Sequence, residues 1–395
     1  MRRRAVPLVL FAILGVLAAA TAGVVVHEEN QAATPAPTKS VPSTTTTAAP
    51  ASTTTVVPVP GSIEAVLPEL EAFVARERGL AFKTPVDVDL VGEAQFRARV
   101  TEIDEEDREE LRDAQAVLIA MGLLEEEVDL EAVVTSFSEE AILGFYDPET
   151  KELVVRGTSP TPFVRSVLVH ELTHALEDQH FDLNREDLGD EATIGFEALA
   201  EGSALRIEDR YRSSMSRQDR RDAERAEEKV GEGVSDDVPE VIQLAFGFPY
   251  AYGPDLVRSI VRAGGQARLD AAFADPPASS EQVLDPRRYL RNDAPRSVPL
   301  PRADRAAIDE GEIGELFLIL MLRAELDGDV ARTAARGWGG DSYVAWRDGR
   351  RTCVRMTFVM DTPRDTAELT EALRDWADAR GAGAKASGST LTTCG

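Results

Sequence analysis

The residues of this chain best suited to chemistry stand together at His170-Glu171-Leu172-Thr173-His174. On an α-helix, two histidines four residues apart lie one turn above each other, so both imidazoles can reach one metal ion. Glu171, rotated off that axis, would face a water on the metal. Zinc lowers the pKa of such a water to about 7 and polarises a carbonyl, while a carboxylate beside it takes the proton and returns it to a leaving amine. The expected chemistry is peptide-bond hydrolysis, with Zn2+ held by His170 and His174, and Glu171 as base and then proton donor.

A helix is needed to present this pentapeptide, and the residues before it supply one. Thr161 followed by Pro162 is an N-cap with a first-turn proline, and Phe163, Val164, Val167, Leu168, Leu172, Ala175 and Leu176 recur at helical spacing. Upstream, Ala141 to Tyr146 and Glu152 to Arg156 read as two strands joined by Asp147-Pro148-Glu149-Thr150-Lys151, a hairpin feeding straight into the helix. Residues 62–79 and 105–122 read as helices, and 85–91 as an alternating strand.

A strand hairpin, an HExxH helix and a second helix bearing a glutamate resemble the gluzincin class of zinc metallopeptidases, to which thermolysin and the membrane-alanyl-type aminopeptidases belong. The resemblance covers about residues 140–212 and implies a zincin-like domain whose third protein ligand is a downstream glutamate. Ala198-Leu199-Ala200-Glu201-Gly202-Ser203-Ala204 is similar to the segment that carries it, which implies Glu201 as that ligand. Two alternatives stay open. Glu197, one turn back, could ligate instead or accept a hydrogen bond from a ligand imidazole. His180 stands at the third-ligand spacing of the metzincin pattern, but Glu177 occupies that pattern's glycine position, and a helix continuing through it would swing His180 away. Of the 4 histidines, none follows His180, so an oxyanion donor would be Tyr or Arg; Tyr250, Tyr252 and Tyr289 are candidates, each more readily read as a core or surface residue than as a catalytic one.

The remaining chain supports and locates this centre. Arg2, Arg3 and Arg4 precede the uncharged run Ala5 to Val26, which is long enough to span a bilayer. Residues 1–27 are therefore expected to be a signal anchor, single-pass in the cell membrane with everything after them extracytoplasmic; the alternative is secretion after cleavage at Ala20-Thr21-Ala22. Residues 28–61, rich in Thr, Ala, Pro and Ser, read as a disordered stalk. The expected folded part is α+β: a zincin-like metallopeptidase domain over 62–300 and a C-terminal α+β subdomain over 301–395. Residues 212–240 read as an exposed charged helix or loop, 241–248 and a helix through about Ala263 as separate pieces, and 275–286 as a proline-bounded loop similar to one in uncharacterised extracytoplasmic HExxH proteins.

A net charge of −27 argues against nucleic acid as a partner and leaves a peptide or protein substrate in the cell envelope. The 2 cysteines, Cys353 and Cys394, are expected to form a disulfide outside the membrane. No GxSxG motif occurs, which disfavours a serine hydrolase. The alternative from another class is a noncatalytic zinc-containing binding or scaffold module of the cell envelope, which would have no need of Glu171.

Overall fold

The computed structural model describes residues 62–185, 187–231 and 238–395. The expected anchor and stalk lie outside the described residues, and no helix among those described is long and apolar enough to cross a membrane.

The chain runs through α1 (Ile63–Arg78), β1 (Val88–Val91), α2 (Glu93–Val100), α3 (Glu105–Ala120), α4 (Leu130–Ala141), β2 (Gly144–Tyr146) and β3 (Leu153–Arg156) before reaching α5 (Pro162–Phe181), which carries the histidines. There follow α6 (Asp190–Ser214), α7 (Arg217–Gly231), α8 (Glu240–Ala274), α9 (Ser280–Leu284) and α10 (Pro286–Leu290). The C-terminal part is β4 (Ala307–Gly311), α11 (Gly314–Arg323), α12 (Gly328–Ala335), β5 (Trp338–Asp348), β6 (Arg351–Met360), α13 (Pro363–Arg380), β7 (Ala384–Ser387) and β8 (Thr390–Cys394). The class is α+β, with helices and two small sheets among the described residues.

The first sheet has the order β1–β3–β2, with β1 parallel and β2 antiparallel to β3. One face lies on α5, where Leu153 and Val155 meet Val167, Leu168 and Leu172 in a core that α1 completes with Leu70 and Val74. The second sheet has the order β4–β5–β6–β8–β7. Cys353 and Cys394 face each other across β6 and β8 and form a disulfide.

Local chemistry accounts for the boundaries that matter. The Thr161 hydroxyl caps α5 by accepting from the Val164 amide at 3.3 Å, and Pro162 fills a first-turn position whose N–H would otherwise lack a partner. Ala141, expected in a strand, closes α4, whose start is capped by Asp129. Helix α8 runs through Pro249 and Pro254, where an interruption was expected, and changes direction only at Gly264–Gly265, with Gly265 at φ 69°. A proline removes one helical N–H and tilts the preceding turn, and burial of Phe248, Leu256 and Val257 holds the helix together across it. Within residues 275–286, expected to be a loop, Ser280–Leu284 form the short helix α9, and α10 begins at Pro286.

The largest apolar cluster runs from Leu111 on α3 to Leu391 on β8 and includes α4, α6 and α8. It therefore crosses the boundary expected near residue 301. Helix α3 belongs with the second sheet, since the Thr393 hydroxyl donates to the Ala120 carbonyl at 2.9 Å.

Candidate metal centre

Helices α5 and α6 pack face to face and bring three side chains to one point. His170 and His174 lie one turn apart and meet edge to face, with ring centroids 4.9 Å apart. From α6, Glu201 places Oε2 3.0 Å from His170 Nε2 and Oε1 3.5 Å from His174 Nε2. The ligand atoms of His170, His174 and Glu201 all lie within 4.8 Å of one another, and they are the one such set among the described residues.

Gly202 explains how the ligand helix is seated. A Cβ there would lie 2.2 Å from the Gly253 carbonyl oxygen, and a Cβ on Gly253 would lie 2.3 Å from the Ala198 oxygen, so α6 and α8 touch backbone to backbone beside Glu201. That contact brings Tyr250 over the site. Its hydroxyl is buried without a hydrogen-bond partner, and burial together with the Glu201, Glu171 and Glu197 carboxylates pushes its pKa well above the usual range.

The neighbouring side chains shift the protonation of Glu201 and His170. Burial alone would raise Glu201, yet the neighbouring His174 and His170 hold its carboxyl at about 2. Burial alone would lower His170, but the Glu201 and Glu208 carboxylates raise it well above the ordinary value. His174 Nε2 is buried without a hydrogen-bond partner. Two imidazoles and one carboxylate are a donor set that zinc accepts with a fourth position open, so the residues present fit the ion.

Glu171 is 0% exposed, and neither carboxylate oxygen has a hydrogen-bond partner. Burial raises its pKa well above the usual carboxylate range; His170 pulls the other way, as does the backbone amide of Tyr146, which faces it without a well-formed bond. That amide lies on an open strand edge. The Arg156 amide bonds to the Leu143 carbonyl and the Asp147 amide to the Glu152 carbonyl, each at 2.8 Å, so alternation turns the backbone groups of Gly144 and Tyr146 away from β3. The Tyr146 hydroxyl and Lys151 Nζ each donate to Asp178 Oδ2 at 2.7 Å, which clamps the hairpin onto α5.

The other sequence candidates stand elsewhere or play other parts. His180 continues α5 and contacts the Ala81 carbonyl at 2.8 Å through Nε2, away from the three ligands. Glu177 is buried and accepts from Arg78 and Ser203. Glu197 is half-buried one turn from Glu201, outside the ligand set. Tyr252 is 41% exposed, and the Tyr289 hydroxyl donates to the Asp275 carbonyl.

Sequence reasoning missed Glu208, whose Oε2 lies 3.1 Å from His170 Nδ1. Arg212 donates to the other Glu208 oxygen at 2.9 Å and reaches Glu227 on α7 at 2.5 Å. The signal was present: Glu208 follows Glu201 by two helical turns and shares its face.

Residues 302–394 match the model of a domain of unknown function (DUF8575), a stretch that spans β4 to β8 and leaves out the metal centre. No curated protein and no solved structure matches the chain.

Proposed function

We propose that this protein is a zinc metallopeptidase of gluzincin type with a zincin-like domain, held at the outer face of the cell membrane by residues 1–27 and acting on peptides or proteins of the cell envelope. The observation that carries this reading is the convergence of His170, His174 and Glu201 beside a fully buried Glu171 that has no partner of its own. A carboxylate left unsatisfied at 0% exposure costs stability, and a scaffold that only stored zinc would have no use for it. The disulfide fits an oxidising compartment.

Zinc, when bound, supplies Lewis acidity and an acidified water. The rest falls to the chain. Glu171, with its raised pKa, takes a proton from the attacking water and passes it to the leaving nitrogen. The Tyr250 hydroxyl, kept protonated, donates to oxygen as negative charge develops. The outward backbone groups of Gly144 and Tyr146 offer an extended peptide a strand edge beside Glu171, and peptide is the substrate class whose own backbone can pair with such an edge.

The purified protein should hold close to one zinc per chain, and His170→Ala, His174→Ala or Glu201→Ala should each remove it. Glu171→Gln should fold and keep zinc but lose peptide cleavage by at least about a hundredfold, the scale of a general base. A zinc-loaded parent that cleaves nothing in a broad peptide library, or a Glu171→Gln variant that cleaves like the parent, would sink the enzyme and leave the binding module.

A further inference from the structure

The open edge of β2 begins at a cleft of about 770 Å³. Leu143, the residue before β2, lines it together with Phe163 from the first turn of α5 and Ala226 and Val230 from α7. α7 is fixed in place there, with Ala223 buried and Val230 packed against the core that α5 shares with the first sheet. The same strand joins the cleft to the metal centre. A Cβ on Gly144 would lie 2.9 Å from Val167 Cγ1, one helical turn before Glu171, and the Tyr146 amide faces Glu171 itself. Phe163 precedes Glu171 by 8 residues on α5, which is about 12 Å along the axis. An extended peptide, at about 3.3 Å per residue, covers that distance in about three to four residues.

The charges of the cleft leave one cation over. Arg97 reaches Glu93 at 3.4 Å and Glu139 at 3.5 Å, and Arg156 donates to Glu93 at 2.6 Å. Arg225 pairs with Asp222 on α7. Lys229, one turn beyond Arg225, also lines the cleft and has no hydrogen bond or ion pair among the described residues. The lining carboxylates are Glu139, Glu140 and Asp222; the arginines engage the first and last, and Glu140 has a partner of its own. In a chain of net charge −27, a cleft lined by more cations than anions stands apart from its surroundings.

We infer that this cleft is a subsite for an acidic side chain of an extended peptide, with Lys229 as the specificity residue that receives the carboxylate. The inference deepens the metallopeptidase reading and rests on it for the cut, but not for the binding. The acidic residue would stand about three to four positions from the bond to be cut, at the Leu143 end of β2. Leu143, Phe163 and Val230 offer apolar surface to its methylenes, which favours glutamate over the shorter aspartate. An ammonium on a flexible stem can follow the incoming carboxylate and form a charge-assisted hydrogen bond with it.

The test scans one neutral decapeptide, acetylated and amidated, carrying a single Glu, Gln or Lys at each position in turn. Cleavage by the parent gives kcat/KM, and calorimetry on the zinc-loaded Glu171→Gln variant gives Kd without turnover. Glu placed about three or four residues from the cut should be preferred over Gln by about three- to tenfold in both measurements, between the scale of an exposed ion pair and that of a charge-assisted hydrogen bond. The preference should shrink at high salt. Lys229→Gln should remove it, and Lys229→Glu should turn it into a preference for Lys at the same position, with zinc content at the parent's level. A preferred Glu after the cut means a peptide antiparallel to β2, and one before the cut a parallel peptide; either supports the subsite. Equal treatment of Glu and Gln throughout, a Glu preference confined to the residues flanking the cut, or one that survives Lys229→Glu overturns the inference. Acidic peptides bound through Lys229 but never cleaved by the parent would instead sink the peptidase reading and leave the subsite standing.

Discussion

At Asp341 a carboxylate removed from water meets three donors of its own chain: the Ile313 and Gly314 amides at 3.0 and 2.9 Å and the Trp338 indole at 2.9 Å. At Glu171 a carboxylate equally removed from water meets none. Glu191 stands between them, with one oxygen bonded to the Ser280 amide and hydroxyl at 2.8 and 2.7 Å and the other without a partner. Burial raises all three, and the rise follows the number of donors: Asp341 to about 6, Glu191 to about 8, Glu171 well above the usual range. The junction around Asp341 and Glu191 ties α6, α9 and α11 together from within. The centre around His170 leaves both Glu171 oxygens and His174 Nε2 without a hydrogen-bond partner.

The sharpest way to separate the two regions is to remove Asp341. Asp341→Ala leaves three buried donors without an acceptor, and at about 1–3 kcal/mol each the loss should reach about 5 kcal/mol in chemical denaturation. Zinc content of the folded fraction should not change. Loss of zinc as severe as in His170→Ala would mean that the junction and the metal centre form one unit.

A smaller effect is expected from pH. Glu191 has an ordinary value of 4.5 and is held at about 8 in the fold, so its protonated form is the one the fold prefers. Stability from this group is fully present below its unfolded value and is lost as pH rises through the folded one. Between about pH 5 and about pH 8 that loss amounts to about 3 kcal/mol. Glu191→Gln should flatten this decline and be the more stable protein at about pH 8. A parent whose melting temperature holds level across that window would show that the junction tolerates the charge.

How much of this could be read beforehand depended on whether the signal was local. Thr161-Pro162 and the apolar spacing after it lie within one helix, and α5 begins where they say. Glu201 could be singled out only through a resemblance, because the crossing of α5 and α6 is a packing fact. The same holds for Glu208: its spacing from Glu201 puts the two on one face, but which atom it meets depends on where His170 Nδ1 points. Gly202 and Gly253 look unremarkable apart and become legible as a contact only when α6 and α8 cross. Pro249 misled because a proline reads as a stop in a chain viewed alone, whereas packing on both sides of α8 carried the helix through it. The extent of the main core was hidden for a related reason, since α3 lies far in sequence from the sheet it covers.

The smallest effect tests whether the carboxylates around His170 have separate duties. Glu208 never reaches the point where the three ligand atoms meet; it receives the far nitrogen of His170 and thereby turns Nε2 toward Glu201 and His174. Burial would raise its carboxyl, but His170 and Arg212 hold it below the usual range, so it stands as an anion that makes the imidazole a stronger donor to metal. Glu208→Gln can still accept from Nδ1 through its amide oxygen and keeps the shape, while the charge is gone. Zinc affinity measured by chelator competition should fall about ten- to a hundredfold, roughly 1.4–2.7 kcal/mol. Denaturation of the metal-free protein should move by less than about 1.5 kcal/mol, the scale of one ordinary hydrogen bond. Glu171→Gln should show the reverse pattern, with zinc affinity at the parent's level. If Glu208→Gln binds zinc as tightly as the parent, Glu208 serves only to anchor Arg212 and α7, and the orientation of His170 must come from the packing of α5 itself.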